Sequence, residues 1–349
     1  MFSITKGINL SHWLSQFFGW SPKDVFVTKN DIAYLKNIGF DHVRLPIDEE
    51  QMFHENGMFN QENLSYLHSC IKWCLEEDMR VVVDLHILRS HHFNAGNNEG
   101  AMTLWNNPKD QDTMIDIWRK LSSELSSYST DMVAYEFMNE PVAPKHSMWN
   151  TLVARGHTIL RALEPNRTLI FGPNMWQFPR FFKYFEIPAN DSNIILSFHT
   201  YDPLPFTHYK AYWMPLGKYS GPVQYPGSII PEKHFPEFEK ATKGDKVLDI
   251  VKDYNEFSRK TFVSIVSPAI DFAKKHGMQL YCNEFGCLPS VPTEDRIRYF
   301  KDIISVFSEY DIAYASWDYK GDFGIVEWDR ETYTNKEEDS EIIKILTQK

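Results

Sequence analysis

Hydrophobic and polar positions along the chain alternate between two rhythms. Eight short runs are rich in β-branched and aromatic residues: Gly7–Leu10, His42–Ile47, Val81–His86, Met132–Glu140, Thr168–Asn174, Ile194–Tyr201, Leu280–Gly286 and Ala313–Tyr319. Most are separated by longer stretches with apolar residues three and four apart, the period of an amphipathic helix. Glu62–Met79, Gln111–Ser127, Met148–Leu163, Lys246–His276 and Thr293–Ser308 are the clearest. Gly39 and Gly277 follow helical patterns and precede strands, where helix-ending glycines belong. Strands alternating with helices predict parallel βαβ units and an α/β fold. Eight such units, with no linker or low-complexity tract between them, predict one (β/α)8 TIM barrel spanning residues 1–349. A bare barrel takes roughly 250 residues, which leaves roughly 100 of the 349 for its loops.

One decoration stands out. Residues 202–244, between the sixth strand and its helix, hold seven of the 19 prolines, with Phe206, Tyr209, Tyr212, Trp213, Tyr219 and Tyr225. A connection this long in a compact domain is a functional lid or a disordered segment. Its proline and ring content predicts an ordered, packed lid. In a barrel this loop emerges on the C-terminal face, where active sites lie.

Composition narrows the partners. Lys plus Arg number 36 against 47 Asp plus Glu, a formal charge of −11. The chain therefore offers no overall basic stripe for nucleic acid. No run of 18 apolar residues predicts a membrane span. Aromatic residues make up 15% of the chain, enough for a heavy core or for a cleft lined with flat rings. Cys70 and Cys74 lie four apart in an apolar-periodic helix, and Cys282 and Cys287 in and after a strand. Neither pair has zinc-ligand spacing, so no structural metal is expected. The opening MFSITKGINL lacks a basic region followed by an apolar stretch, which favours a cytoplasmic setting; a secreted chain with its leader trimmed would read the same. Nothing in the pattern calls for a second subunit, and a monomer is expected.

Polar residues collect at the C-terminal ends of the strands: Arg44, His86, Asn139 with Glu140, His199 with Tyr201, Glu284, and Trp317. In register on successive strands they predict one ring of groups around a barrel mouth. Strand parity places Leu280, Cys282 and Glu284 on one face, Ile195 through Tyr201 on another, and Ala313, Ala315 and Trp317 on a third. Asn139 has the opposite parity to Glu136, Met138 and Glu140, so it must reach the site through a turn or bulge. Asp84 and Glu136 should lie one layer deeper. Unpaired buried carboxylates are costly, so at least one is expected to pair with Arg44 or to hold a proton.

Two carboxylates facing a common axis are the requirement of glycoside hydrolysis, one protonating the leaving oxygen and the other attacking or activating water. The segments GINLSHWLSQ, HVRLPID, VVVDLH, YEFMNEP, SFHTYDP, LYCNEFG and SWDYKGDFG, in this order from Gly7 to Asp322, resemble glycoside hydrolase family 5. That family carries its catalytic glutamates on the fourth and seventh strands. FHTYDPLPFTHYKAYW and the lid after it resemble more narrowly the clostridial endoglucanase C type, β-1,4-glucanases with such a lid. The resemblance implies Glu140 as acid/base and Glu284 as nucleophile of a retaining double displacement. It implies Arg44 and Tyr201 as stabilisers of Glu284, and Asn139 as holder of the sugar 2-hydroxyl. His86 and His199 would bind hydroxyls or orient the carboxylates, and Trp317 would be the floor under the sugar. Trp213, in the lid, is expected to stack on a neighbouring sugar. Cellulose-type or mixed-linkage β-glucan is the expected substrate, with no cofactor. Ile87 departs from the family, many of whose members carry a polar residue there. His91 and His92 read as a solvated pair, and metal binding by Asp84, His86 and His91 is not required by the chemistry. β-Mannanase or β-1,3-glucan hydrolase activity on the same pair, a non-catalytic carbohydrate-binding barrel, and a metal-dependent hydrolase are the alternatives.

Overall fold

A computed structural model describes residues 2–19, 21–95, 99–188, 191–244 and 256–348. Eight parallel strands close on themselves: β1 (Lys6–Asn9), β2 (His42–Asp48), β3 (Arg80–Ile87), β4 (Val133–Glu136), β5 (Leu169–Phe171), β6 (Ile194–His199), β7 (Leu280–Phe285) and β8 (Ile312–Ser316). β1 pairs with both β2 and β8, which closes the barrel. The helices outside it are α1 (Lys29–Ile38), α2 (Gln61–Glu76), α3 (Pro108–Leu125), α4 (His146–Leu163), α5 (Arg259–His276), α6 (Thr293–Glu309) and α7 (Ser340–Thr347). The expected helix over Lys246–His276 is seen from Arg259; residues 246–255 lie outside the described residues. Among the described residues between β5 and β6 stands a 3-10 turn, Pro179–Tyr184, whose Phe182 packs on Phe272 of α5 at 5.1 Å. No helix among the described residues is long and apolar enough to cross a membrane.

Helix boundaries follow local chemistry. Gly39 and Gly277 end α1 and α5 in the left-handed conformation, at φ 112° and 63°, which costs glycine little. α3 begins with the Asn107 side chain accepting the Lys109 N–H, followed by Pro108, the preferred N-terminal order. Its buried stripe of Met114, Ile115, Trp118, Leu121 and Leu125 faces the sheet. Trp118 Nε1 donates to the Phe137 carbonyl at 2.9 Å, so α3 anchors the chain just past β4. Burying a large side chain of this kind contributes roughly 1.5–3 kcal/mol.

The lumen is layered. Val82, Ala134, Ile170, Ile195, Tyr281, Ala313 and Ala315 fill its lower part, with Phe2 and Ile4 closing the bottom. The opposite parity, including Val43, Val83, Leu196 and Cys282, packs outward against the helices. Two expectations change here. β4 stops at Glu136, so Phe137–Glu140 is not strand and parity does not apply to it. On β7 it is Tyr281 that faces the lumen while Cys282 faces the helices. Glu284 therefore does not reach the mouth by sharing a face with Cys282. The β6–β7 register jumps from Phe198↔Cys282 to His199↔Glu284, and this bulge turns Glu284 inward.

The insertion after β6 is packed. Phe206, Tyr209, Tyr219 and Tyr225 are buried, and Tyr225 Oη donates to Asp302 of α6 at 2.7 Å. Only Tyr212 and Trp213 among its rings are substantially exposed. The four cysteines are buried free thiols. Beyond β8 the chain adds an antiparallel pair, β9 (Val326–Asp329) and β10 (Thr334–Glu338), that the hydrophobic pattern did not predict.

Candidate active site

Above the apolar lumen lies a fully buried polar layer built around Arg44. Its Nε and Nη2 donate to the two Glu136 oxygens at 2.7 and 2.9 Å. Nη2 also reaches Asp84 at 2.9 Å and the Asn139 Oδ1 at 2.8 Å. Nη1 donates to Asn9 at 3.0 Å and to Glu284 at 3.1 Å. A planar guanidinium is suited to such a set, since its donors diverge in fixed directions. The expected pairing of a deep carboxylate with Arg44 is met by both Asp84 and Glu136. One cation faces three acids, and burial pushes Asp84 up to about 7 against the attraction of Arg44. Its Oδ1 is buried without a hydrogen-bond partner. Asn283, on the bulged stretch of β7, donates to Glu136 at 2.7 Å.

The next layer is the pair Glu140 and Glu284. His199 Nδ1 lies 2.9 Å from Glu140 and 3.7 Å from Glu284. The ligand atoms of these three residues all lie within 4.8 Å of one another, close enough for a cation, yet the same atoms are already held by one another and by Arg44 and Tyr201. Tyr201 Oη donates to Glu284 Oε1 at 2.8 Å. Burial, followed by repulsion from Glu284, raises Glu140 well above the ordinary carboxyl range. Burial raises Glu284 as well, but Arg44 and the Tyr201 hydroxyl favour its charge. Of the two, Glu284 releases its proton first. Burial holds His199 well below its usual range, with Arg44 acting in the same direction, so its ring is neutral.

His86 completes the ring of groups. Burial and then Arg44 push it down to about 3. The neutral ring donates from Nδ1 to Asp84 at 2.7 Å. Its Nε2 faces the Asn139 amide at 3.4 Å. Trp317 stacks flat on His86, centroids 5.5 Å apart and planes 9° apart. Asn139 arrives through the irregular stretch after β4. Trp213 stands at the rim, 37% exposed, with its ring 6.2 Å from His208 and from Phe323. The other expected site residues converge within the barrel mouth. Phe206, Tyr209, Tyr219 and Tyr225 do not, because they form the core of the insertion.

His91 is not solvated. It is buried, accepts the Val142 N–H at 3.2 Å, and meets Trp105 edge-on at 5.3 Å. It braces the loop after Glu140 and does not join Asp84 and His86 as a ligand. Sequence reasoning missed Asn9, Asn283 and Gln177, all three buried beside the carboxylates. Asn283 was legible in principle, as the neighbour of Glu284 in CNEFG; Gln177, in the irregular NMWQFP stretch, carried no periodic or charge signal.

Known proteins share this arrangement of sequence. A family model described as cellulase, glycosyl hydrolase family 5, matches residues 4–323. Endoglucanase C of Acetivibrio thermocellus is 33% identical, over 100% of this chain and 99% of that protein. Cellodextrinase A of Ruminococcus flavefaciens is 28% identical over 89% of this chain and 84% of that protein. Among solved structures, cellulose synthase subunit Z of Clostridioides difficile aligns with a TM-score of 0.76, covering 99% of this chain and 100% of that one. Its 20% identity shows a shared fold. A closed eight-stranded barrel with paired glutamates at its mouth, matched by the family model along nearly its whole length, makes this chain a member of the cellulase family, glycosyl hydrolase family 5.

Proposed function

We propose that the chain cuts β-1,4-linked glucan internally with retention of configuration, with Glu140 as acid/base and Glu284 as nucleophile. The observation that carries this reading is the close approach of the two carboxyls, whose nearest oxygens lie within 4.8 Å. That suits the separation of about 5–5.5 Å used for direct attack on the sugar better than the separation of about 6.5–9.5 Å of an inverting site.

The chemistry proceeds in two displacements. The Glu284 carboxylate attacks the anomeric carbon while the bond to the leaving oxygen breaks and takes the Glu140 proton. Glu284 is then an ester without charge, so the repulsion that kept Glu140 protonated is gone and Glu140 becomes a competent base. It removes a proton from water, the water oxygen attacks the anomeric carbon, and the ester bond returns its electrons to Glu284. Arg44 and the Tyr201 hydroxyl receive the carboxylate as its charge reappears. Neutral His199 exchanges a hydrogen bond with Glu140 in either protonation state. Asn139, fixed through its oxygen by Arg44, presents its amide toward the sugar 2-hydroxyl; Trp317, braced by His86, forms the floor; and Trp213 forms the wall.

Product anomers followed by NMR during digestion of cellotetraose test the mechanism. The β anomer is expected first; initial release of the α anomer would overturn retention. A panel of carboxymethylcellulose, barley glucan, laminarin and mannan tests the substrate. Rapid viscosity loss on the first two is expected, whereas cleavage of mannan or laminarin alone would overturn the β-1,4-glucan assignment.

A further inference from the structure

We propose that Gln177 is a positioning residue for the proton-transfer half of this reaction, setting the backbone from which Glu140 and His199 face one another. The inference rests on reading Glu140 as the acid/base.

After β5 the chain passes through Met175, Trp176 and Gln177 at φ 64°, 56° and 55°. Three successive bulky residues in the left-handed region are sterically disfavoured, and such a conformation persists only where its surroundings over-determine it. Trp176 Nε1 donates to the Phe93 carbonyl at 3.1 Å, and four further bonds run to the segment carrying Glu140. The Met175 and Trp176 N–H groups donate to the Pro141 carbonyl at 2.8 and 3.3 Å. Asn174 accepts the Ala143 N–H at 2.7 Å and donates to the Ala143 carbonyl at 2.9 Å.

At the end of this turn the Gln177 side chain runs inward, fully buried. Its Oε1 accepts the Glu140 N–H at 2.9 Å and its Nε2 donates to Ser197 Oγ at 2.7 Å. Its carbonyl accepts the His199 N–H at 3.2 Å. One residue thus ties together the backbones of both partners in the 2.9 Å Glu140–His199 contact. Gly172 leaves the slot open, since a Cβ there would lie 2.6 Å from the Ser197 carbonyl and 2.7 Å from Gln177 Nε2. The arrangement answers a need created by β4, which ends four residues before Glu140. Glu140, itself at φ 42°, has its N–H held by Gln177 instead of by a neighbouring strand. Gln177 does not line the cleft between the carboxyls, so its influence passes through Glu140. A misplacement of about 1 Å at a reacting group costs on the order of 100-fold in rate.

The test compares kcat/KM on cellotetraose, whose leaving oxygen needs a proton, with 2,4-dinitrophenyl β-cellobioside, whose leaving group does not. Gln177→Leu is expected to lose about 30–100-fold on cellotetraose and less than about 3-fold on the activated glycoside, since general acid help amounts to about 100–10,000-fold in all. The alkaline limb of its pH profile on cellotetraose should move as well. Equal loss on both substrates, or no loss on either, would overturn the proposal. Ser197→Ala removes only the outer anchor of Gln177 and serves if Gln177→Leu does not fold. The same selective loss, smaller in size, is expected of it, and unselective loss or none counts against the proposal. Glu140→Gln is the reference. If it fails to discriminate between the two substrates, the acid/base reading falls and this inference with it. If it discriminates and the other variants do not, Gln177 alone loses its role.

Discussion

Replacing Arg44 by Met removes the one cation that, among the described residues, lies against Asp84, Glu136 and Glu284, while preserving an unbranched apolar stem. The guanidinium sits 2.7 Å from Glu136, 2.9 Å from Asp84 and 3.1 Å from Glu284. At an effective dielectric of about 20, a unit pair at the shortest of these distances attracts by roughly 6 kcal/mol before desolvation. Breaking a buried pair by deleting one partner costs about 3–5 kcal/mol net, which in a chain of this length is a fall in Tm of roughly 4–7 °C. The loss should depend on pH in a defined direction. Burial already raises Asp84 to about 7 and Glu136 above its ordinary range, and removing Arg44 raises both further. A carboxyl raised in the folded state contributes stability that is fully present below the unfolded value, about 4, and is lost as pH rises through the folded value. The deficit of Arg44→Met should therefore be smallest near pH 4 and grow toward pH 8, and adding Glu136→Gln should recover part of it at pH 8. Thermal melts followed by circular dichroism at both pH values measure this. A variant melting within 2 °C of wild type at pH 8, a deficit independent of pH, or a double variant no more stable than the single would refute the reasoning.

Other outcomes follow from the same geometry. Tyr201→Phe deletes a 2.8 Å hydrogen bond to Glu284; a bond to a charged group is worth about 1.5–3 kcal/mol, so kcat should fall about 10–150-fold and the acidic limb of the pH profile should move upward. A wild-type limb would count against that charge stabilisation. Trp213→Ala should raise KM for cellotetraose several-fold without changing Tm, because the ring is partly exposed at the rim; unaltered kinetics would remove it from the cleft. Turnover should survive EDTA intact, since His199 Nδ1 contacts Glu140, and both Glu284 oxygens take hydrogen bonds from Arg44 and Tyr201; loss of activity restored by a divalent cation would overturn that expectation.

The barrel was legible because its strands repeat one physical problem eight times: a short apolar run, buried on both faces, bounded by helical periods and turn residues. The polar groups at strand ends were legible for the same reason, since a charged or imidazole side chain ending such a run has few places to go. What escaped was geometry that depends on breaking the period. Parity along LYCNEF wrongly grouped Glu284 with Cys282, because a one-residue bulge is a property of two paired strands and leaves no mark in either one. The solvated reading of His91 failed for a related cause: its burial is supplied by Trp105 and by the Val142 backbone, both distant in sequence. Gln177 was invisible because hydrogen bonds, with no change of charge or apolar period, define its place.

The rings of the insertion divide according to what they touch, and that division says how the insertion acts. Phe206 lies 5.6 Å from Tyr225 and from Tyr299 of α6, so the insertion is fastened to the barrel by its own core. His208, buried and pushed down to about 3 by that burial, is a neutral ring that meets Tyr201 edge-on at 5.0 Å and Phe323 at 5.1 Å. Tyr201 is the residue whose hydroxyl holds Glu284. The exposed Trp213 and Glu284, the proposed nucleophile, are therefore joined through two packed rings, Trp213 to His208 and His208 to Tyr201. Packed interiors resist compression and pass displacement to their neighbours, so a segment seated in this way is held fixed against the barrel. The aromatic excess of the sequence accordingly serves two purposes through one contact chain: rings buried in the insertion hold it against α6, and the rings at its edge set the position of both Trp213, the proposed sugar-facing wall, and the hydroxyl on Glu284.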